Sequence, residues 1–109
     1  MTSIKETIER EVTGWAGVEE RPHRYGGIEF RVDGHEIGHL HGDRLADLPF
    51  PVRVRKELVE SRRAQAHHIL PETGWVSYRI RGEEDVEGAL DLFRLNYERL
   101  TARKGAKAG

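Results

Sequence analysis

The sequence predicts an α+β fold, an antiparallel sheet built around a central hairpin with helices packed on one face. Three observations support this. Two alternating runs, residues 28–32 and 35–41, flank Asp33-Gly34, the strongest short-range signal for a tight hairpin. Helical and strand periodicities succeed one another in the order helix, strands, helix, strand, helix, with no internal repeat. Finally, 109 residues, 37% hydrophobic and 34% charged, suffice for one core and leave no room for a second. The domain is expected over residues 1–101, with 102–109 a flexible basic tail.

The elements follow in order. Ser3 and Glu6 have capping-box spacing, and Ile4, Ile8, Val12 and Trp15 recur at helical intervals, which predicts a helix over residues 4–15, ended by Gly17. Val18 to Tyr25 reads as a short strand interrupted by Pro22 and suited to a sheet edge. In the hairpin, counting outward from Asp33-Gly34 pairs Val32 with His35, Phe30 with Ile37, and Ile28 with His39. That register puts His39 and His41 on the helix-covered face with Ile28 and Phe30. It puts Glu29, Arg31 and Glu36 on the other, Arg31 facing Glu36 as an ion pair. Gly42 to Phe50 reads as a loop, and Pro51 as the first residue of a helix running to about Ser61. After a turn at Glu72-Thr73-Gly74, residues 75–80 alternate as a strand with Val76, Tyr78 and Ile80 on one face. The last helix, from about Glu83 to Thr101, begins with Glu83, Glu84 and Asp85, which suit the helix dipole. Its apolar stripe is Val86, Ala89, Leu90, Phe93, Tyr97 and Leu100.

Composition narrows the function. Eighteen basic and nineteen acidic residues are mixed along the chain, so neither nucleic acid nor an anionic membrane is the expected partner. Arg53, Arg55, Lys56, Arg62 and Arg63 are interrupted by Glu57 and Glu60 and contain no aromatic residue, which describes a solvated helix face. The absence of cysteine excludes disulfides, thiolate metal sites and a thiol nucleophile. No apolar run approaches the ~20 residues of a membrane span, and the chain reads as a cytoplasmic protein. There is no glycine-rich phosphate loop and no nucleophile elbow.

Chemistry concentrates in the histidines. His39 and His41 lie two apart on a strand and so share a face; His67 and His68 are adjacent. Joined by His67 or His68, the first pair makes an imidazole cluster that can accept a proton from a phenol, an enol or water. Burial is expected to lower these imidazoles below the ~6.5 of free histidine, unless a carboxylate such as Asp43 compensates. Trp75, after Gly74, could cap a ligand pocket or simply pack. His23 and His35 read as solvated. The same imidazoles, with a carboxylate, also suit zinc or iron, and a purely structural pair of hydrogen-bonded histidines fits the pattern equally well.

Glu36-Ile37-Gly38-His39-Leu40-His41, the later His68, Gly74-Trp75-Val76-Ser77-Tyr78 and the acidic-start helix reaching Leu95-Asn96-Tyr97 resemble the luciferase-domain family, small bacterial and archaeal proteins named after a fungal luciferase. The resemblance covers roughly residues 18–100. It implies a compact α+β domain and, from the fungal member, oxygen-dependent oxidation of a hydroxypyrone without a tightly bound organic cofactor. Glu36, His39, His41 and His68 match the family's polar positions. The Gly-Trp strand and following helix are also similar to a small double-wing DNA-binding-like family, which implies the same fold class and no enzyme. The leading reading is a small-molecule-binding domain in which His39, His41 and His68 handle protons in oxygenase-type or proton-abstraction chemistry on an enolic or phenolic substrate. Glu36, Asp43 and Trp75 would then contact that ligand, and no cofactor is required. Its alternatives are a non-catalytic protein or nucleic-acid interaction module, and a zinc or iron domain using His39, His41 and His68.

Overall fold

The computed structural model describes residues 2–23 and 26–108, and side chains as far as residue 102. Most of the stretch read as a basic tail therefore lies outside the described side chains. The fold is α+β, with the elements α1 (Ile4–Thr13), β1 (Val18–Pro22), β2 (Ile28–Val32), β3 (His35–His41), β4 (Leu45–Pro49), α2 (Val52–Glu60), β5 (Gln65–Ala66), β6 (Trp75–Arg79) and α3 (Val86–Ala108), the last preceded by a 3-10 turn over Glu83–Asp85. The six strands form one antiparallel sheet in the order β1-β2-β3-β4-β6-β5.

Local chemistry accounts for the boundaries. Ser3 and Glu6 form the reciprocal capping box expected of them. Asp33 and Gly34 adopt φ of 51° and 80°, the paired positive angles that a two-residue hairpin turn needs. Pro51 caps α2 with extended backbone. The apolar faces of α1 and α3 meet the sheet in one core that includes Ile8, Val12, Phe30, Leu40, Leu48, Val76 and Phe93, all with no exposed surface. Phe30 and Phe93 pack edge to face, 5.5 Å between centroids. On α3 the buried stripe is Ala89, Leu92, Phe93, Asn96 and Leu100, whereas Val86, Leu90 and Tyr97 are half-buried at its flank.

Two differences from the sequence reading shape the site. The hairpin register holds only as far as Arg31 with Glu36; beyond it Phe30 faces Gly38, Glu29 faces His39 and Ile28 faces Leu40. Ile37 is an extra residue, a β-bulge. His39 and His41 therefore leave the face of Ile28 and Phe30 and join Glu29, Arg31 and Glu36 on the face away from α3. The bulge lets both Ile37 and Leu40 enter the core, which strict alternation forbids for residues three apart. Gly38 makes this possible, since a Cβ there would lie 2.8 Å from Leu48 and 2.9 Å from Phe93. The carbonyl of the bulged Ile37 accepts a 2.8 Å hydrogen bond from the buried Asn96 amide on α3, which also donates to Pro49 at 3.0 Å. The expected Arg31–Glu36 ion pair is replaced by Arg31–Glu29 at 2.8 Å.

The second difference is β4, in a segment read as loop. Asp47 and Pro49 disfavour strand locally, but β4 lies between β3 and β6 with Ala46, Asp47 and Leu48 buried. Among the described residues no helix is long and apolar enough to cross a membrane.

Candidate functional site

The bulge, β4 and β6 together build a cluster on the sheet face opposite α3. His39 faces Asp47 across the β3–β4 pairing, His41 faces Leu45, and Asp47 faces Ser77 across β4–β6. Three imidazole Nε2 atoms surround one oxygen, Asp47 Oδ2: His41 at 3.2 Å, His39 at 3.4 Å and His67 at 3.9 Å. Ser77 donates its hydroxyl to the other oxygen, Oδ1, at 2.7 Å. On the far side of the His39 ring, Nδ1 meets Glu36 Oε2 at 2.7 Å. The bulge is what allows this contact, by bringing two residues three apart onto one face.

His39 and Asp47 are both buried, at 6% and 2% exposure, and a buried charge survives only when paired. Burial opposes the charged His39 ring, but hydrogen bonds to Asp47 and Glu36, and the charges of both carboxylates, outweigh it and raise His39 to about 9. The lowered value expected for a buried imidazole is thus reversed for His39, and Asp47 with Glu36 compensates rather than Asp43. Burial likewise acts to raise the Asp47 carboxyl, and the hydrogen bonds from His39 and Ser77 overcome it and hold Asp47 at about 2. His67 is pushed down, chiefly by burial, with Asp47 partly offsetting it. Its Nδ1 lies 3.2 Å from the backbone N–H groups of both Ile69 and Leu70. Nδ1 must therefore be the acceptor, and the neutral ring carries its hydrogen on Nε2, toward Asp47.

A cavity of about 760 Å³ opens over this cluster. Trp75 lines it with its ring 5.5 Å from His39. His23, expected in solvent, stacks on His39 at 4.0 Å and also lines the cavity. The loop after β5 supplies His68, Ile69 and Leu70 to the mouth, with Ile69 70% and Leu70 44% exposed.

The structure thus brings together Glu36, His39, His41 and Trp75. His68 is exposed, stacked on the outer side of His67 at 4.7 Å, and it is His67 that approaches Asp47. Asp43 lies elsewhere: its Oδ1 accepts a 2.7 Å hydrogen bond from the Lys5 backbone and ties the β3–β4 turn to the start of α1. Sequence reasoning missed Asp47, Ser77 and His23. One signal did point to the bulge, an isolated glycine, Gly38, inside a strand pattern.

Among the described residues, two trios place their donor atoms within 4.8 Å of one another, His39 with His41 and Asp47, and His23 with Glu36 and His39. A family model described as a luciferase domain matches residues 34–96, which include every residue of the cluster but His23. No curated protein and no solved structure matches the chain.

Proposed function

The chain belongs to the luciferase-domain family, and on that premise we propose that it binds a planar enolic or phenolic small molecule in the cavity over Trp75 and takes the hydroxyl proton of that ligand onto His41. The observation behind this reading is the Asp47-centred imidazole cluster at the floor of an aromatic and apolar cavity. About 760 Å³ lies within the ~300–1,000 Å³ of small-molecule sites, which are mostly apolar with a few convergent polar groups. Trp75 offers a flat surface for a conjugated ring. Ile69 and Leu70 at the mouth supply apolar contact that they lack in the free protein.

His41 is the group suited to receive the proton. Its side chain is 34% exposed, and its Nε2 lies 3.2 Å from Asp47. With the Nε2 hydrogen directed to the carboxylate, the lone pair is on Nδ1, the tautomer that a histidine–aspartate pair fixes for a general base. In the transfer the ligand O–H bond breaks, an Nδ1–H bond forms, and the electron pair remains on the ligand oxygen. The enolate or phenolate so formed is the electron-rich species from which oxygenase-type chemistry would start.

The test is binding. A panel of small hydroxypyrones and phenols is expected to quench Trp75 fluorescence saturably in a Trp15→Phe background and to shift the His41 ring resonances. Methyl ethers of the same compounds, which have no hydroxyl proton, should bind more weakly. If none of the hydroxyl compounds gives a saturable change, the reading is wrong.

A further inference from the structure

We infer that His39, His41 and Asp47 form a site for one divalent first-row transition-metal ion, its ligands held from behind by Glu36 and Ser77. Ligand atoms about 2.1 Å from an ion lie about 3.4 Å apart in a tetrahedron and about 3.0 Å apart in an octahedron. Asp47 Oδ2 is 3.4 Å from His39 Nε2 and 3.2 Å from His41 Nε2, so these edges need almost no adjustment. The competing trio fits less well. His39 meets Glu36 through Nδ1 at 2.7 Å, a hydrogen-bond length too short for two atoms sharing an ion.

That short contact has the geometry of an outer support. A metal-bound histidine characteristically donates its second ring N–H to a carboxylate, and a ligating carboxylate is itself hydrogen-bonded. Glu36 stands in the first relation to His39, and Ser77, 2.7 Å from Asp47 Oδ1, in the second. His67 is excluded as a ligand although its Nε2 is 3.9 Å from Asp47. Its Nδ1 is occupied as acceptor for Ile69 and Leu70, which leaves hydrogen on Nε2 and makes the ring a donor at the edge of the site. Two imidazoles and one carboxylate favour zinc or iron(II) over magnesium or calcium, and three protein ligands leave positions open toward the cavity. A bound ion would lower the pKa of a ligand hydroxyl and hold the resulting oxyanion there; with Nε2 on the ion the His41 ring hydrogen is on Nδ1, so the hydroxyl proton then leaves to solvent, and His41 accepts it only in metal-free protein. Only this last step rests on the ligand reading above; ion binding does not.

The experiment uses the full chain, stripped with EDTA and titrated with Co²⁺, followed by visible absorption, and with Zn²⁺, followed by calorimetry. One equivalent should bind, with Co²⁺ bands reporting nitrogen and oxygen ligation. His41→Ala, at the half-exposed ligand, should abolish saturable binding while its thermal melt shows a folded protein, and Asp47→Asn should do the same. Glu36→Gln should weaken binding about 10–100-fold, and His68→Ala should leave it unchanged. No saturable binding by the parent protein overturns the site. So does full affinity in His41→Ala, or a loss of binding confined to His68→Ala. A protein that binds the ion but no hydroxypyrone retains this inference and loses the ligand reading; the opposite result loses only the ion.

Discussion

Asp47 shows how one side chain can organise a site. A carboxylate at 2% exposure would be costly alone, yet here it accepts from Ser77 and faces the Nε2 atoms of three histidines, so its charge is matched where water is excluded. His39 gains most from this, because it lies between Asp47 on one ring nitrogen and Glu36 on the other. In metal-free protein its ring should remain protonated up to about pH 9, well above free histidine. NMR titration of the ring protons in EDTA checks this, and Glu36→Gln should bring the midpoint down. A midpoint for His39 at or below the 6.5 of free histidine would mean that the two carboxylates do not hold it as described. His39 and His41 were legible from sequence as a same-face pair because period two survives a bulge outside the pair. Asp47 was not, because the pairing that recruits it joins residues in different strands.

Among the elements, the hairpin shows where local rules stop. The Asp33-Gly34 turn and the first two residue pairs follow from turn chemistry alone, and so they were readable. The bulge depends on what lies above the sheet. Leu48 and Phe93 leave no room for a side chain at Gly38, and the Asn96 amide meets the Ile37 carbonyl. These are tertiary constraints, and a count outward from a turn cannot contain them. The same holds for β4, whose Asp and Pro argue for loop until the flanking strands are in place. Asn96→Leu should therefore act on both stability and site. It leaves the Ile37 and Pro49 carbonyls buried without their donor, a cost of about 1–3 kcal/mol, and it removes the clamp on the bulge that aims Glu36 at His39. Chemical denaturation should show the loss, and the His39 midpoint should fall with it. A destabilised variant whose His39 still titrates as in the parent would separate the clamp from the site.

At the scale of the molecule, the order of elements and the single antiparallel sheet were legible because hydrophobic period and turn residues decide them. The cluster was less so, because it is assembled from β3, β4, β6 and the loop after β5. Its charges, and one carboxylate pair outside it, make the stability of the fold depend on pH. Glu20 on β1 shares a hydrogen bond with Glu9 on α1, which raises its carboxyl to about 7 from 4.5. The protonated form is the one the fold favours, so this stability is complete below about pH 4.5 and is lost as pH rises through 7. Its size is small because both groups are near solvent. His39 is raised as well, so its contribution is complete below 6.5 and is lost as pH rises through about 9. Asp47, held at about 2 against 3.8, has the opposite sign: its contribution is complete above 3.8 and is lost only as pH falls through about 2. His39 and Asp47 stabilise each other, so their two shifts report one interaction. The three windows overlap only between about pH 3.8 and pH 4.5, and His67, lowered by burial, works in the opposite sense below 6.5. Above pH 4.5 the Glu20 and His39 contributions to the melting temperature of metal-free protein should be lost in two stages, a shallow one ending near 7 and a steeper one ending near 9. Glu20→Gln should remove the first stage and His39→Gln the second. A melting temperature that stays level from pH 4.5 to pH 10 in EDTA would show that neither pair couples to folding.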